Sequence, residues 1–292
     1  MNLRNAAWRV LVASCLMTMA SLAHAASSVL IWPLNPGIAA GQRAAALWLQ
    51  NVGTQPVVLQ VRVLAWDQHE GADRYAQQAE IIGTPPFTTL APGAKQLIRL
   101  TAMQPAPPGR EQAYRVLIDE IPSTPAAERD GADSTQAALR LQMRYSLPLF
   151  VYGAGLRAAD AQADGQAGAD RAPAAGDAAP LRVAQPAAAP QTARPQLSWR
   201  IAAIDGVPHL LVTNRGTGHA RLSQVSLLGT RDALPVAAGL LGYVLPGKQM
   251  RWPLPQAPSA GDGDMRLRLQ LGSRQPLMEI PMDASSAERP AD

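Results

Sequence analysis

From Leu139 onward every second residue of the chain is apolar: Leu139, Leu141, Met143, Tyr145, Leu147, Leu149 and Val151. The interleaved positions start polar or basic, with Arg140, Gln142, Arg144 and Ser146. A side-chain period of two sustained this long predicts a β-strand, not a helix. Ordinary strands run about five or six residues. A strand this long outruns its own sheet, so part of its apolar row is available to another partner. An exposed apolar edge is normally an aggregation hazard. It makes sense where strand addition is what the edge is for.

Shorter Val/Leu/Ile/Trp-rich runs fill the remainder. SVLIWPLN, AALWLQNV, VVLQVRVLAW, QLIRLTAM and YRVLIDEIP precede the long strand, separated by turn material such as NPG, NVGTQP and TTLAPGAKQ. LSWRIAAID, PHLLVTNRG, ARLSQVSLLG, QMRWPLP, MRLRLQLG and PLMEIPMD follow later in the chain. Between the two groups, residues 157–196 form an Ala, Pro, Gly, Asp and Gln tract with few large apolar residues. Such a tract buries too little surface to offset its ordering entropy and reads as a disordered linker. The chain is therefore expected to be all-β, with two immunoglobulin-like sandwiches joined by a long low-complexity linker. The expected segments are a signal peptide over 1–25, a first domain over 26–156, the linker over 157–196, a second domain over 197–284 and a tail over 285–292. The tract leaves about 130 and about 95 residues on either side, each a normal domain size.

The N-terminus supplies the compartment. Arg4 and Arg9 precede an apolar stretch from Val10 to Leu22, followed by Ala23-His24-Ala25, a small-x-small cleavage pattern. The stretch is shorter than the roughly 20 residues a membrane span needs, so no stable membrane insertion is expected. Cys15, the only cysteine, lies within this signal, so disulfides contribute nothing to the mature chain. No acidic residue precedes Ala25, so losing Arg4 and Arg9 lowers the formal charge from +4 to +2. That charge is too weak and too scattered to argue for nucleic acid.

Chemistry is sparse. His69, His209 and His219 are the histidines after the signal, and none has metal-ligand spacing. They read as surface or loop residues. No GxSxG, GxGxxG or P-loop pattern falls between a strand and a helix. Asp119 and Glu120 are adjacent on a strand and point to opposite faces, a poor acid/base pair. Neither an enzyme nor a cofactor is expected. Trp32, Trp48, Trp66, Trp199 and Trp252 read as core.

These residues carry a resemblance. VLIWPLNP, NVGTQPVVLQVRVLAW, TPPFTTLAPGAKQLIRL, YRVLIDEIP and RYSLPLFV, with LLGYVLPGKQMRWPL in the second half, resemble the PapD-like periplasmic pilus-assembly chaperones of the chaperone–usher pathway. The similarity points to the archaic branch, which serves spore-coat-U-like subunits. It implies two immunoglobulin-like domains set at an angle around a cleft. It also implies a mechanism in which the chaperone lends a strand to an incomplete pilus subunit and delivers it to an outer-membrane usher. The lent row would be Leu139, Leu141 and Met143, with Tyr145 at the transition and Leu147 beyond it. Periodicity alone does not separate that destination from the domain's own core.

The family also clamps the subunit's C-terminal carboxylate with basic residues. This chain departs from the better-known pattern, because residues 28–41 hold no Lys or Arg and Pro148 aligns with the expected lysine. Arg99 and Arg115, each a cation in an apolar strand, are the substitutes the resemblance suggests. A solvent-facing strand arginine is the plain alternative. Arg140 and Arg144 read as solubilising the edge. Gly242-Tyr243 falls at the cleft by the same resemblance. Two other functions stay open on residues alone: a secreted pilus or adhesion subunit, and a two-domain β-sandwich binding module or extracellular enzyme.

Overall fold

A computed structural model describes residues 29–122, 142–159, 189–229, 233–257, 265–272 and 275–283. The first domain comprises β1 (Val29–Trp32), β2 (Gly37–Ile38), β3 (Ala44–Asn51), β4 (Val57–His69), β5 (Ala72–Ala76), β6 (Ile81–Thr84), β7 (Phe87–Leu90), β8 (Lys95–Ala102), β9 (Glu111–Ile121) and β10 (Arg144–Tyr152). One sheet has the order β1-β3-β8-β6, and the other β2-β10-β9-β4-β5 with β7 also on β4. Alternation decides which residues meet between them. Leu47, Leu49, Ile98 and Leu100 from the first sheet pack with Leu59, Val61, Val116, Ile118, Leu147 and Leu149 from the second. Each such burial contributes about 1.5–3 kcal/mol.

A short parallel pair follows, β11 (Leu156–Arg157) with β12 (Gln191–Thr192). The second domain holds β13 (Leu197–Ile204), β14 (Val207–Asn214), β15 (Ala220–Leu228), β16 (Ala233–Val244), β17 (Gln249–Pro253), β18 (Arg266–Leu271) and β19 (Leu277–Pro281). Its sheets run β13-β14-β17 and β16-β15-β18-β19, around Trp199, Leu210, Val212, Leu222, Leu227 and Leu267.

One device occurs in both domains. Asn51 and Asn214 are fully buried at the ends of β3 and β14. The Asn51 Nδ2 donates to the carbonyls of Gln55 and Leu90, and its Oδ1 accepts from Gly53 N–H. The Asn214 Nδ2 donates to Gly218 and Val244, and its Oδ1 accepts from Gly216 N–H. Each asparagine carbonyl also accepts from the glycine of a Pro-Gly turn, Gly93 or Gly247. A buried amide with its capacity filled by backbone ties one turn to a distant strand. The sequence signal is NxGT followed later by PGAK or PGK.

Several sequence expectations need correction. The linker begins later and ends earlier than its composition suggests: Arg157 and Gln191–Thr192 are paired, and Ala193 is buried. Residues 160–188 lie outside the described residues. Trp32 and Trp48 are not core. Ile31, Leu47 and Leu49 take the inward positions, so the two indoles stack on the outer face with ring centroids 6.2 Å apart. Strand β10 is described over Arg144–Tyr152, and Leu139 and Leu141 lie outside the described residues.

Candidate functional site: an open strand edge beside an interdomain cleft

Strand β10 pairs with β9 along its whole length, from Arg144 opposite Asp119 to Tyr152 opposite Glu111. On its other side β2 covers only Phe150 and Val151. Among the described residues nothing else pairs with that edge. The hydrogen bonds fix its polarity. Glu120 N–H donates to Met143 C=O, whereas Phe150 N–H turns the other way, to Pro36 C=O. Antiparallel pairing alternates these directions. Arg144 and Ser146 thus aim both N–H and C=O outward. Pro148 aims only a carbonyl, since an edge strand is where a missing N–H is tolerated.

The side chains divide between two faces. Leu147, Leu149 and Val151 enter the domain's own core, and Tyr145 packs partly against it. Met143 is on the same face but is 43% exposed. The apolar row therefore runs out of its own core between Leu147 and Met143. Leu147, grouped with the lent residues on sequence, is only 5% exposed and belongs to this domain's core. The opposite face carries Pro148, Phe150 and Tyr152, all buried. Phe150 and Tyr152 join Trp66, Leu156, Ala193, Tyr243 and Leu245 in an apolar cluster between the domains.

The start of β10 is tethered. Arg144 and Arg62 both bind the Asp119 carboxylate, Arg62 at 2.6 Å. Burial alone pushes the Asp119 carboxyl up, but hydrogen bonds from Arg144 and Arg62 outweigh it and hold the group below the usual range. Arg144 thus fastens the strand rather than merely solubilising it. Arg140 lies outside the described residues.

Arg115 and Arg99 do not converge. Arg99 is exposed on the outer face of the other sheet, between buried Ile98 and Leu100. Arg115 lies on β9 directly opposite Pro148, between buried Tyr114 and Val116, and faces the cleft. Its guanidinium carbon sits 3.8 Å from the Trp66 ring centroid and 5.3 Å from that of Tyr243. Its buried Nε has no hydrogen-bond partner among the described residues. A guanidinium over one ring and beside another, with a donor left over, can receive a planar anion.

Side-chain amide chemistry sets the cleft width. Gln68 is 2% exposed; its Nε2 donates to Tyr243 C=O at 2.9 Å and its Oε1 accepts from Leu245 N–H at 2.9 Å. The amide thus pairs with the second domain as a strand would. Asp73 accepts from Gln68 Nε2 and from Trp66 Nε1, fixing both groups. Lys248 binds Asp67 across the gap at 2.7 Å. His219 is not a surface residue: it stacks on Phe150 at 3.5 Å, and its Nδ1 lies 3.0 Å from Glu111 Oε1. Gln68 and Glu111 were not singled out on sequence. Their partners in the second domain lie more than a hundred residues away, and no local pattern marks them. No group of three or more His, Cys, Asp and Glu suited to a metal occurs among the described residues.

Comparison with known proteins follows the same lines. Residues 37–157 match the family model for the pili and flagellar-assembly chaperone, PapD N-terminal domain. A chain of the CsuC–CsuE chaperone–tip adhesion subunit pre-assembly complex, from the archaic chaperone–usher Csu pili of Acinetobacter baumannii, is similar at 28% identity. The match covers 86% of this chain and 97% of that one, with a TM-score of 0.62. The E. coli chaperone DraB shares the fold at 16% identity, 87% and 98% coverage and a TM-score of 0.54. So does a chain of the Salmonella enterica SafA pilin–SafB chaperone complex, at 17% identity, 87% and 96% coverage and a TM-score of 0.56. No curated protein sequence gives a significant match. The first domain is a chaperone domain of the PapD class, in a family of chaperones and not of enzymes. Beyond that domain, the chain as a whole is similar to pilus-assembly chaperones of the chaperone–usher pathway.

Proposed function

We propose that this chain works in the periplasm, where it lends the start of β10, with the residues just before it, to an incomplete pilus subunit. It then hands that subunit to an outer-membrane usher. The observation that carries this reading is the combination at β10 of an edge uncovered before Phe150 and a core-facing row that runs past its own core to Met143. An incoming sandwich lacking one strand would find main-chain donors and acceptors at Arg144 and Ser146 and an apolar row beside them. Leu139, Leu141 and Met143 fill the subunit's groove, and Tyr145 spans the junction of the two cores. Leu147 stays with the chaperone. The domains proposed are those set out above, with Arg157 and residues 189–196 taken out of the linker.

Arg115 is the proposed anchor for the subunit's terminal carboxylate. The cation absent at Pro148 is supplied by its cross-strand neighbour, so the charge moves one strand sideways within the same cleft. Arg99 faces away and takes no part. The similarity to a chain of an archaic chaperone–subunit complex supports this reading. The test is co-expression with a small secreted β-rich protein encoded beside this chain. Capture predicts a one-to-one complex that survives purification and is lost in Met143→Glu, because a carboxylate would then be buried unpaired. Wild-type recovery of the complex by a folded Met143→Glu chaperone would refute strand lending at this row.

A further inference from the structure

We propose that Tyr243 of the second domain, held by Gln68 of the first, is a positioning residue for Arg115, so that the carboxylate anchor is built across both domains. The inference rests on the reading of Arg115 as that anchor. Three observations carry it. The guanidinium lies over the Trp66 ring and beside the Tyr243 ring, one from each domain, and these rings meet edge to face at 83° with centroids 5.5 Å apart. Tyr243 is 8% exposed, and its backbone carbonyl is fixed by the buried Gln68 amide. Asp73 holds that amide and the Trp66 indole together, so one carboxylate sets both walls of the slot.

The local backbone of β16 exists to aim this ring. Leu222 pairs with Gly242 and Ser223 with Leu240, leaving Leu241 as an extra residue. Such a bulge re-aims the side chains that follow it. Gly242 admits the approach, since a Cβ there would come within 3.1 Å of the Trp252 ring. Without the Tyr243 ring, Arg115 keeps Trp66 and Tyr75 beside it but loses the wall that the second domain supplies. It would then sample other rotamers, and its free Nε would no longer be presented to a carboxylate at fixed depth.

The experiment uses the full chaperone, 15N-labelled, and acetyl-(Val-Thr)3 peptide with either a free or an amidated C-terminus. The readouts are the Arg115 Nε–H resonance and the ratio of affinities for the two peptides. Wild type and Tyr243→Phe should prefer the free carboxylate. Tyr243→Leu and Gln68→Met should lose about fivefold of that preference while binding the amidated peptide unchanged. Should Tyr243→Leu fail to fold, Tyr243→Met, of similar length and better able to fill the space, decides. Full retention of the preference in these variants overturns the role of the second domain and leaves Arg115 as an anchor by itself. A wild-type protein with no preference overturns the anchor reading, and the positioning role with it.

Discussion

Leu147 and Met143 lie on one face of the same chain, four residues apart, yet the structure gives them opposite tasks. Leu147 is 5% exposed among core residues of its own domain, whereas Met143 is 43% exposed. Leu147→Ala removes a packed side chain and leaves a cavity, which costs about 2–5 kcal/mol of stability. Met143→Ala removes a side chain held on one side only, so the free chaperone should change by no more than about 0.5 kcal/mol. The complex tells them apart in the other direction. Burying a Met completely is worth about 1.5–3 kcal/mol. The exposed share of Met143 therefore stands to contribute about 1 kcal/mol on capture, or roughly fivefold in affinity. Denaturant melts of both variants, followed by titration of the folded chaperones with subunit, separate the two effects. Met143→Ala as destabilising as Leu147→Ala, or as competent in capture as wild type, would refute the division of the row.

Further outcomes follow from the same geometry. Arg115→Ala should weaken subunit capture, while Arg99→Ala should not, as pull-down of each variant with a co-expressed subunit would reveal. The Asp119 carboxyl is depressed in the folded state, so its contribution is fully present above the unfolded carboxyl value near pH 4 and is lost as pH falls through the lower folded value. Melts of Asp119→Asn should accordingly lose part of the acid dependence seen in wild type below about pH 4. Replacing residues 160–188 with a short Gly/Ser segment should change stability by no more than about 1 kcal/mol, since closure entropy varies slowly with length. A cut extended through Thr192 should cost more, because it removes the strand that pairs with Leu156 and Arg157.

How much the sequence revealed depended on whether the deciding contact was local. Strands β3, β8, β9 and β10 were legible because strict alternation survives in them. Strand β16 was not, because its run of small residues and register shifts blurs the period. The two-residue β2 carries no signal of its own, although it limits how much of the β10 edge stays open. Period two also left the inward face undecided. It put Ile31 and Trp32 on opposite sides, and only the assembled sheets assigned Ile31 to the core. Arg99 and Arg115 looked alike as cations in apolar strands. The sheet order separated them, since β8 and β9 belong to different sheets.

The two faces of β10 also explain why its register is fixed. Leu147, Leu149 and Val151 are committed to the first domain's core, and Phe150 and Tyr152 to the cluster against the second domain. A one-residue slip would exchange the two sets, so neither domain permits it. The open start of the strand is therefore offered at a set height relative to the cleft. Met143 lies five residues before Pro148, the position opposite Arg115. At about 3.4 Å per residue, that separation is roughly 17 Å. A carboxylate held at Arg115 would fix one end of an incoming strand, and the apolar row would read the rest at known intervals. On this reading the anchor and the lent row form one ruler. The second domain contributes to it by keeping β10 in register on one face and Arg115 in its slot on the same face.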